Sequence, residues 1–586
     1  FTCTAFEDSL FYSPKSSYLA VVAIDFGTTY SGFAFSFIKD QGRDAIFMNM
    51  DWVNEQGAQT SKTPTCLLLK PNLSFDSFGY EAIEKYAGLE GDGEEKEYLF
   101  FKHFKMALHK DENVSFSLSL SLLLSLSLSL SLSLSLSFLL SILLLLLSFC
   151  CIIVIIYFCI RQHWPRKGNP RGGGGAGVVS PNNAEQLMIA LEPEAAAIFC
   201  QEKNLSDFYS ESGTRSVDGM LSEPNTNYMV IDIGGGTLDV TVHEIDNDGS
   251  IKEIYQVTGG PYGGIKVNEE FERLLDELFG AEKLKRYREQ YPGDWLSLMN
   301  EFEGKKRGKR ILDSGLMTNI RLPRSFVSLV TQSRSSAMER YGSMEIKLKN
   351  NEYLSLSSGI MKKLFTPVVD QIKEHLKSLH RKPQLAKVQS MLFVGGFADS
   401  VFLQEEIKKE FSRRYTVLIP HNANAVVVQG AVMFGKKPAK ITQRVMSTTY
   451  GAKCSRNFIE GFHPDEKKFV ADGIEKCGDI FCCFVKEKQV VKVGEKIKKT
   501  FHPVEAKTKS LTVRFYVTSD PKTQFTTDPG VTKIGSMKVR SPDTWRGKDR
   551  DIEVSMYFGG TEITATAWDI SSGNRAQTTL DFFCRS

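Results

Sequence analysis

The sequence predicts an α/β protein in which a large two-lobed domain is followed by a smaller β-rich domain. Three observations carry this expectation. A strand, glycine turn, strand hairpin occurs twice, at residues 19–38 and 228–245. The 586 residues exceed what one hydrophobic core usually serves. Beyond Gly435 the pattern changes to alternating strands.

Residues 1–18 read as an N-terminal tail in which no charged stretch followed by an apolar one marks a secretory leader. Leu19 to Asp25 is then a short apolar run ending in an acid; Phe26 to Tyr30 turns the chain, and Ser31 to Ile38 resumes a strand-like run. This is a hairpin with polar groups at its tip. Gly27 leaves room for backbone N–H groups to approach a phosphate, Thr28 and Thr29 add hydroxyl donors, and Asp25 is suited to hold magnesium through water. An ordinary glycine turn is the plainer reading of one such copy.

The segment Tyr228 to Ile245 repeats the plan, with Asp232 at the end of an apolar strand, then Gly234, Gly235, Gly236 and Thr237, then a second apolar strand. Three consecutive glycines lose much backbone entropy on folding, which favours a place where the backbone must come close to something. Two such hairpins, some two hundred residues apart, are suited to grip a nucleotide's phosphates from opposite sides, with magnesium between Asp25 and Asp232.

With 72 basic and 69 acidic residues, the chain is close to balanced, which argues against a generic nucleic-acid or polyanion binder. Its eleven cysteines are scattered, and neither Cys150-Cys151 nor Cys482-Cys483 belongs to a zinc or disulfide framework, so a reducing, cytoplasmic setting is expected. Residues 115–176 stand apart. Ser115 onward alternates Ser and Leu, and Phe138 to Ile160 is an apolar block of bilayer length flanked by Arg161, Arg166, Lys167 and Arg171. A repeated TC dinucleotide read in triplets yields Ser-Leu, so the stretch reads as a gene-model artefact of the retained-intron kind. A span there would also put Asp25 and Asp232 on opposite sides of a membrane, where they could not share one nucleotide. The two loops therefore count against a membrane protein.

Asp25-Phe-Gly-Thr-Thr-Tyr30, Leu191-Glu-Pro-Glu-Ala-Ala-Ala-Ile198, Asp232 to Asp239 and Leu392-Phe-Val-Gly-Gly-Phe397 resemble, in that order, motifs of the 70-kDa heat-shock protein family. Gly259 to Asn268, Phe393 to Asp399 and Thr526-Thr-Asp-Pro-Gly530 look most like its divergent 12A/12B branch. The likeness covers about Ala20 to Lys110 and Gly177 to the end. It implies an actin-like (ribonuclease-H-like) ATPase domain over 19–438, interrupted by the 115–176 insert, and a β-rich domain over 439–586.

By the same resemblance, ATP or ADP with Mg2+ is the expected ligand. Thr28, Thr29 and Tyr30 would contact the β- and γ-phosphates from one side, and Gly234, Gly235, Gly236 and Thr237 from the other. Asp25, Asp232 and Glu192 would organise the magnesium and the attacking water. Glu303, Lys306 and Arg307 match the family's adenosine-contacting helix, and spacings of three and four put them on one face, although such a charged run also suits a solvated surface. Gly395 and Gly396 would approach the adenosine. The family's catalytic lysine corresponds to Lys102 or Lys105, of which Lys105 is favoured.

The departures matter as much. Phe397-Ala-Asp399 stands where mainstream members have Ser-Thr-Arg, the arginine of which packs on adenine, and Asn424 stands where they have an aspartate. The family's Val-Thr-Val-Pro-Ala strand and the helix after it are missing, and the foreign stretch sits in their place. Near the C-terminus, Leu511 to Thr518 and Ile552 to Phe558 alternate as strands. In chaperones the corresponding region grips extended peptides, but no apolar acidic linker or long helical lid is legible here. The expected function is magnesium-dependent ATP binding with slow or absent hydrolysis, making the chain at most a weak ATPase, with unidentified protein partners or clients. A nucleotide-sensing scaffold without turnover and a small-molecule kinase of the same fold are the alternatives.

Overall fold

The computed structural model describes residues 20–38, 45–53, 57, 59–92, 97–104, 152–158, 187–202, 208–209, 221–308, 315–331, 341–342, 344–558 and 563–580. Lys105 and most of the 115–176 stretch lie outside them, as does Phe138 to Cys151 of the apolar block. The chain is a mixed α/β protein with several sheets, consistent with the expected actin-like fold.

The first hairpin pairs Ala20–Phe26 with Tyr30–Phe37, antiparallel, and places Asp25 opposite Gly32. On the other side of Ala20–Phe26 runs Ile152–Phe158, parallel and in register from Ala20↔Ile152 to Phe26↔Phe158. It in turn pairs parallel with Leu187–Met188. The end of the apolar block thus forms the strand next to the first one. Among the described residues no helix is long and apolar enough to cross a membrane.

The second hairpin, Asn227–Ile233 with Leu238–Ile245, lies at the centre of an eight-stranded sheet. On one side follow Ser390–Val394 and Thr416–Pro420, both parallel; on the other come Ile251–Gly260, Ile441–Val445 and Val490–Lys492. All seven residues of Asn227–Ile233 are buried, as befits a strand covered on both faces.

Between the two sheets run the helices Glu192–Glu202 and Ala423–Lys436. Their apolar faces, Ala195 to Phe199 on one and Val426 to Val432 on the other, merge into one core with Val21, Ala23, Val230 and Val394. They meet at Gly430, where a Cβ would collide with the Ala195 backbone carbonyl. A second and larger core gathers the far face of the eight-stranded sheet with helices Ile265–Phe279, Pro292–Lys306 and Ser358–His380.

After Ile441–Val445 the chain becomes all β. Thr449–Asn457, Ile474–Val485, Ser510–Thr518 and Thr532–Arg540 belong to a five-stranded antiparallel sheet. Four more strands, Glu495–Phe501, Ile552–Phe558, Ile563–Asp569 and Arg575–Leu580, form a second sheet. Tyr450, Phe515, Val554, Met556 and Phe558 fill the space between them. Arg550, fully buried, ties the connecting loops by donating to the carbonyl oxygens of Ala506, Thr508, Ser541 and Gly547.

Candidate functional site

Both glycine turns open toward the same place. Thr65 holds the first: its N–H donates to the Thr29 carbonyl and its hydroxyl to the Gly27 carbonyl, each at 2.8 Å. The second turn is closed by the Gly234 N–H on the Thr237 carbonyl at 2.9 Å and by the Thr237 hydroxyl on Asp239 at 3.0 Å. The loop Gly263-Gly264 lies over it, with the N–H groups of Gly264 and Ile265 donating to the carbonyls of Gly234 and Gly235.

A Cβ at Gly235 would run into the Thr29 side chain, and one at Gly236 would sit 3.2 Å from the Thr28 hydroxyl. Only bare backbone fits between these turns. The two turns therefore approach each other closely.

At the base of the two turns four charged groups converge. Asp25 and Asp232 end their strands, both nearly fully buried. Asp232 lies within hydrogen-bonding reach of Glu192, the first residue of its helix. Burial, together with Asp239 and Asp25, pushes the Asp232 carboxyl up to about 7, against the pull of Glu192 and Lys62. Its Oδ2 has no hydrogen-bond partner among the described residues.

The fourth group is Lys62, whose ammonium lies 2.5 Å from Asp25 Oδ2. Burial opposes its charge, but Asp25, with Glu192 and Asp232 behind it, holds the ammonium above its ordinary range. Lys62 reaches Asp25 by crossing the first hairpin at Gly32, where a Cβ would stand 2.9 Å from the Lys62 Cγ. Reading the sequence missed this lysine. Its only signals are a glycine opposite an acid in the hairpin register and the Thr63–Pro64 bridge that pairs with Tyr30 and Ser31.

Lys102 stands elsewhere, 3.5 Å from Asn300 on the helix Pro292–Lys306, and Lys105 falls outside the described residues.

The same helix carries Glu303 and Lys306 and is capped by Arg307. Glu303 accepts from Lys306 at 2.6 Å, from Asn268 at 3.0 Å and from Arg307 at 3.1 Å. Burial opposes its ionisation, yet the two cations hold it well below the usual carboxylate range. This is a built network rather than a solvated charge run. Arg307 also lies over the Tyr30 ring, 4.3 Å from its centre, and so links this helix to the first turn.

Gly395 adopts φ +92°, and a Cβ there would strike Asp232; its N–H donates to the Ala423 carbonyl at 3.1 Å. Gly396 is open on the side where a Cβ would project. Phe397 is buried, against Phe365 and under Gly264. Asp399 accepts from the Ala423 N–H at 3.1 Å and so takes over the start of the helix that carries Asn424. Burial pushes its carboxyl up to about 6, against that N–H and the Arg307 and Lys62 cations.

Bare glycine backbone facing two hydroxyls, above three carboxyls and an ammonium, suits a polyphosphate and a hard divalent cation. The donor set is all oxygen, and the unpartnered Asp232 Oδ2 has a lone pair to offer water on such an ion.

No family model matches the chain. It is 33% identical to Heat shock 70 kDa protein 12A of Homo sapiens over 627 aligned positions, covering 97% of this chain and 92% of that protein. The Mus musculus protein of the same name gives the same identity and coverage. Heat shock 70 kDa protein 12B of Homo sapiens is 32% identical over 632 positions, again covering 97% and 92%.

Proposed function

Since the chain belongs to the heat shock 70 kDa protein family, in its divergent 12A/12B branch, we propose that it binds ATP with magnesium between its two glycine turns and hydrolyses it slowly or not at all. The observation that carries this reading is the face-to-face placement of Gly235 and Gly236 against Thr29 and Thr28, above Asp25, Asp232, Glu192 and Lys62.

In this reading residues 19–438 are the two-lobed ATPase domain and 439–586 a β-rich domain that passes the nucleotide state to protein partners. The setting is cytoplasmic. The N–H groups of Gly235 and Gly236 and the hydroxyls of Thr28 and Thr29 hold the phosphates, while Gly234 and Thr237 close the second turn behind them and Tyr30 is fixed beneath Arg307. Asp25, Asp232 and Glu192 would hold Mg2+ through water, and such an ion would supply positive charge against the phosphates. Lys62 supplies a further positive charge at the phosphates. Glu303, Lys306 and Arg307, with Gly395 and Gly396, line the nucleoside end.

Scaffolding without turnover is favoured by one observation. Asp399 caps a helix where mainstream relatives offer adenine an arginine face, so the base is held by fewer groups.

Calorimetric titration of MgATP into the full chain tests the proposal. Binding is expected, and Asp232→Ala is expected to weaken it at least about tenfold, on the order of 1.4 kcal/mol. Binding should also tighten as pH rises toward 7 and level off above it, because the bound form needs the Asp232 carboxylate and that group is protonated below about 7. No heat from the native chain, or undiminished binding by the variant, would sink the proposal.

A further inference from the structure

The segment that holds the first glycine turn also carries the cation beneath it. Thr65 fixes the carbonyls of Gly27 and Thr29, Thr63–Pro64 pairs with Tyr30 and Ser31, and Lys62, the residue before, extends across Gly32 to Asp25. Its ammonium lies 2.5 Å from Asp25 Oδ2, with 15% of the lysine side chain and 6% of the aspartate side chain exposed. Backbone pairing beside it and the tight passage at Gly32 restrain the base of this side chain. The ammonium end is the part that can swing.

Asp25 thus has two prospective partners of the same sign, the Lys62 ammonium and a divalent cation. Toward a divalent cation alone, Lys62 already covers one of the carboxyls, and moving aside would leave its ammonium buried next to a second positive charge. Toward a polyphosphate alone, the buried acids Asp25 and Asp232, with Glu192 near them, oppose entry. When the two come together both conflicts are relieved. Lys62 has phosphate oxygens to turn to, and Asp25 is released to accept from water around the ion.

We propose that Lys62 makes this site selective for a metal–polyphosphate complex, covering Asp25 against a free divalent cation and leaving it for phosphate when both arrive. The inference rests on the nucleotide reading above and adds a selection that the two glycine turns alone do not supply. Replacing Lys62 by an uncharged residue should then have two effects of opposite sign, opening the carboxyls to Mg2+ alone while weakening MgATP. A lysine that only supported the fold would, when lost, weaken both. Linkage makes the selection reciprocal: whatever factor the metal adds to nucleotide affinity, the nucleotide adds to metal affinity.

Calorimetry on the full chain tests this, with MgCl2 alone, ATP in EDTA and MgATP as three separate titrants. The native chain should bind MgATP at least about tenfold more tightly than ATP in EDTA, and should give no binding heat with millimolar MgCl2. Lys62→Met should bind MgCl2 alone at least about tenfold more tightly than the native chain, and MgATP at least about tenfold more weakly. Adding Asp25→Asn to Lys62→Met should abolish the uptake of MgCl2, which ties the gain to the uncovered carboxylate. Native uptake of MgCl2 as tight as that of Lys62→Met, or MgATP binding untouched by the substitution, would overturn the selection and leave the nucleotide reading standing. A native chain that binds no MgATP would overturn both. The native titrations keep the test decisive if Lys62→Met folds poorly, since ATP in EDTA binding as tightly as MgATP would refute the selection by itself.

Discussion

Lys62 shows how one buried cation can balance a cluster of acids. Asp25 is buried, with Glu192 and Asp232 close by, and the Lys62 ammonium is the cation that sits against it. Without that ammonium, Asp25 would be left buried and uncompensated, which for a buried pair costs about 3–5 kcal/mol. Lys62 retains 15% side-chain exposure, and solvent screening brings the expected loss nearer to about 2 kcal/mol. Lys62→Met should therefore lower the Tm in magnesium-free buffer. Millimolar MgCl2 should restore part of that loss, because a divalent cation among the same carboxyls replaces the missing charge. Thermal melts of both proteins with and without MgCl2 measure this; equal loss in both buffers would mean that the carboxyls do not accept the ion.

At the scale of elements, close approaches between secondary structures set the geometry of the site. Helix Glu192–Glu202 presents Glu192 to Asp232 only because it lies tight against Ala423–Lys436, and Gly430 makes that approach possible. Gly430→Ala would push a methyl into the Ala195 carbonyl, and overpacking of this kind costs about 1–3 kcal/mol. Urea unfolding should show that loss, together with weaker MgATP binding because Glu192 shifts with its helix. A variant as stable as the native chain would disprove the tight crossing.

Elements of this kind were largely legible in the sequence. Both hairpins, the glycine turns and the strands at Ser510–Thr518 and Ile552–Phe558 follow from alternation and turn residues. The strand Ile152–Phe158 was not legible, because a long apolar run looks alike to a bilayer, a buried helix and a buried strand. Lys62 was hidden for another reason. Its place depends on the register of a hairpin thirty residues upstream, and a long-range contact leaves no local pattern. The Glu303 face was picked out by the family resemblance, with spacing only placing its members on one side of a helix, and its partner Tyr30 was not visible at all.

At the scale of the molecule, the site and the β-rich region are joined through buried charge. Glu194 lies two residues after Glu192 on the same helix and binds Arg444 through two contacts, 2.6 and 2.7 Å, with both side chains almost wholly buried. Arg444 belongs to Ile441–Val445, the strand from which the chain passes directly into Thr449–Asn457. Val490–Lys492, from the β-rich region itself, pairs with that strand and so extends the central eight-stranded sheet. A shift of the Glu192 helix must therefore move Arg444, break the pair or be resisted by it.

Glu253 stands beside this pair, pushed up to about 8 by burial and by Glu194, and Arg444 is the cation that opposes the rise. Arg444→Met would leave two buried acids without it, at a cost of about 3–5 kcal/mol. Adding Glu194→Leu removes one of those acids and should recover much of the loss, since apolar replacement of both partners of a buried pair is often neutral. The expected order of urea midpoints is native, then the double variant close behind, then Arg444→Met well below. Protease cleavage within 446–448 should speed up only in the single variant, as the strand works loose. A double variant no more stable than the single one would show that the joint between site and β-rich region rests on backbone pairing rather than on this ion pair.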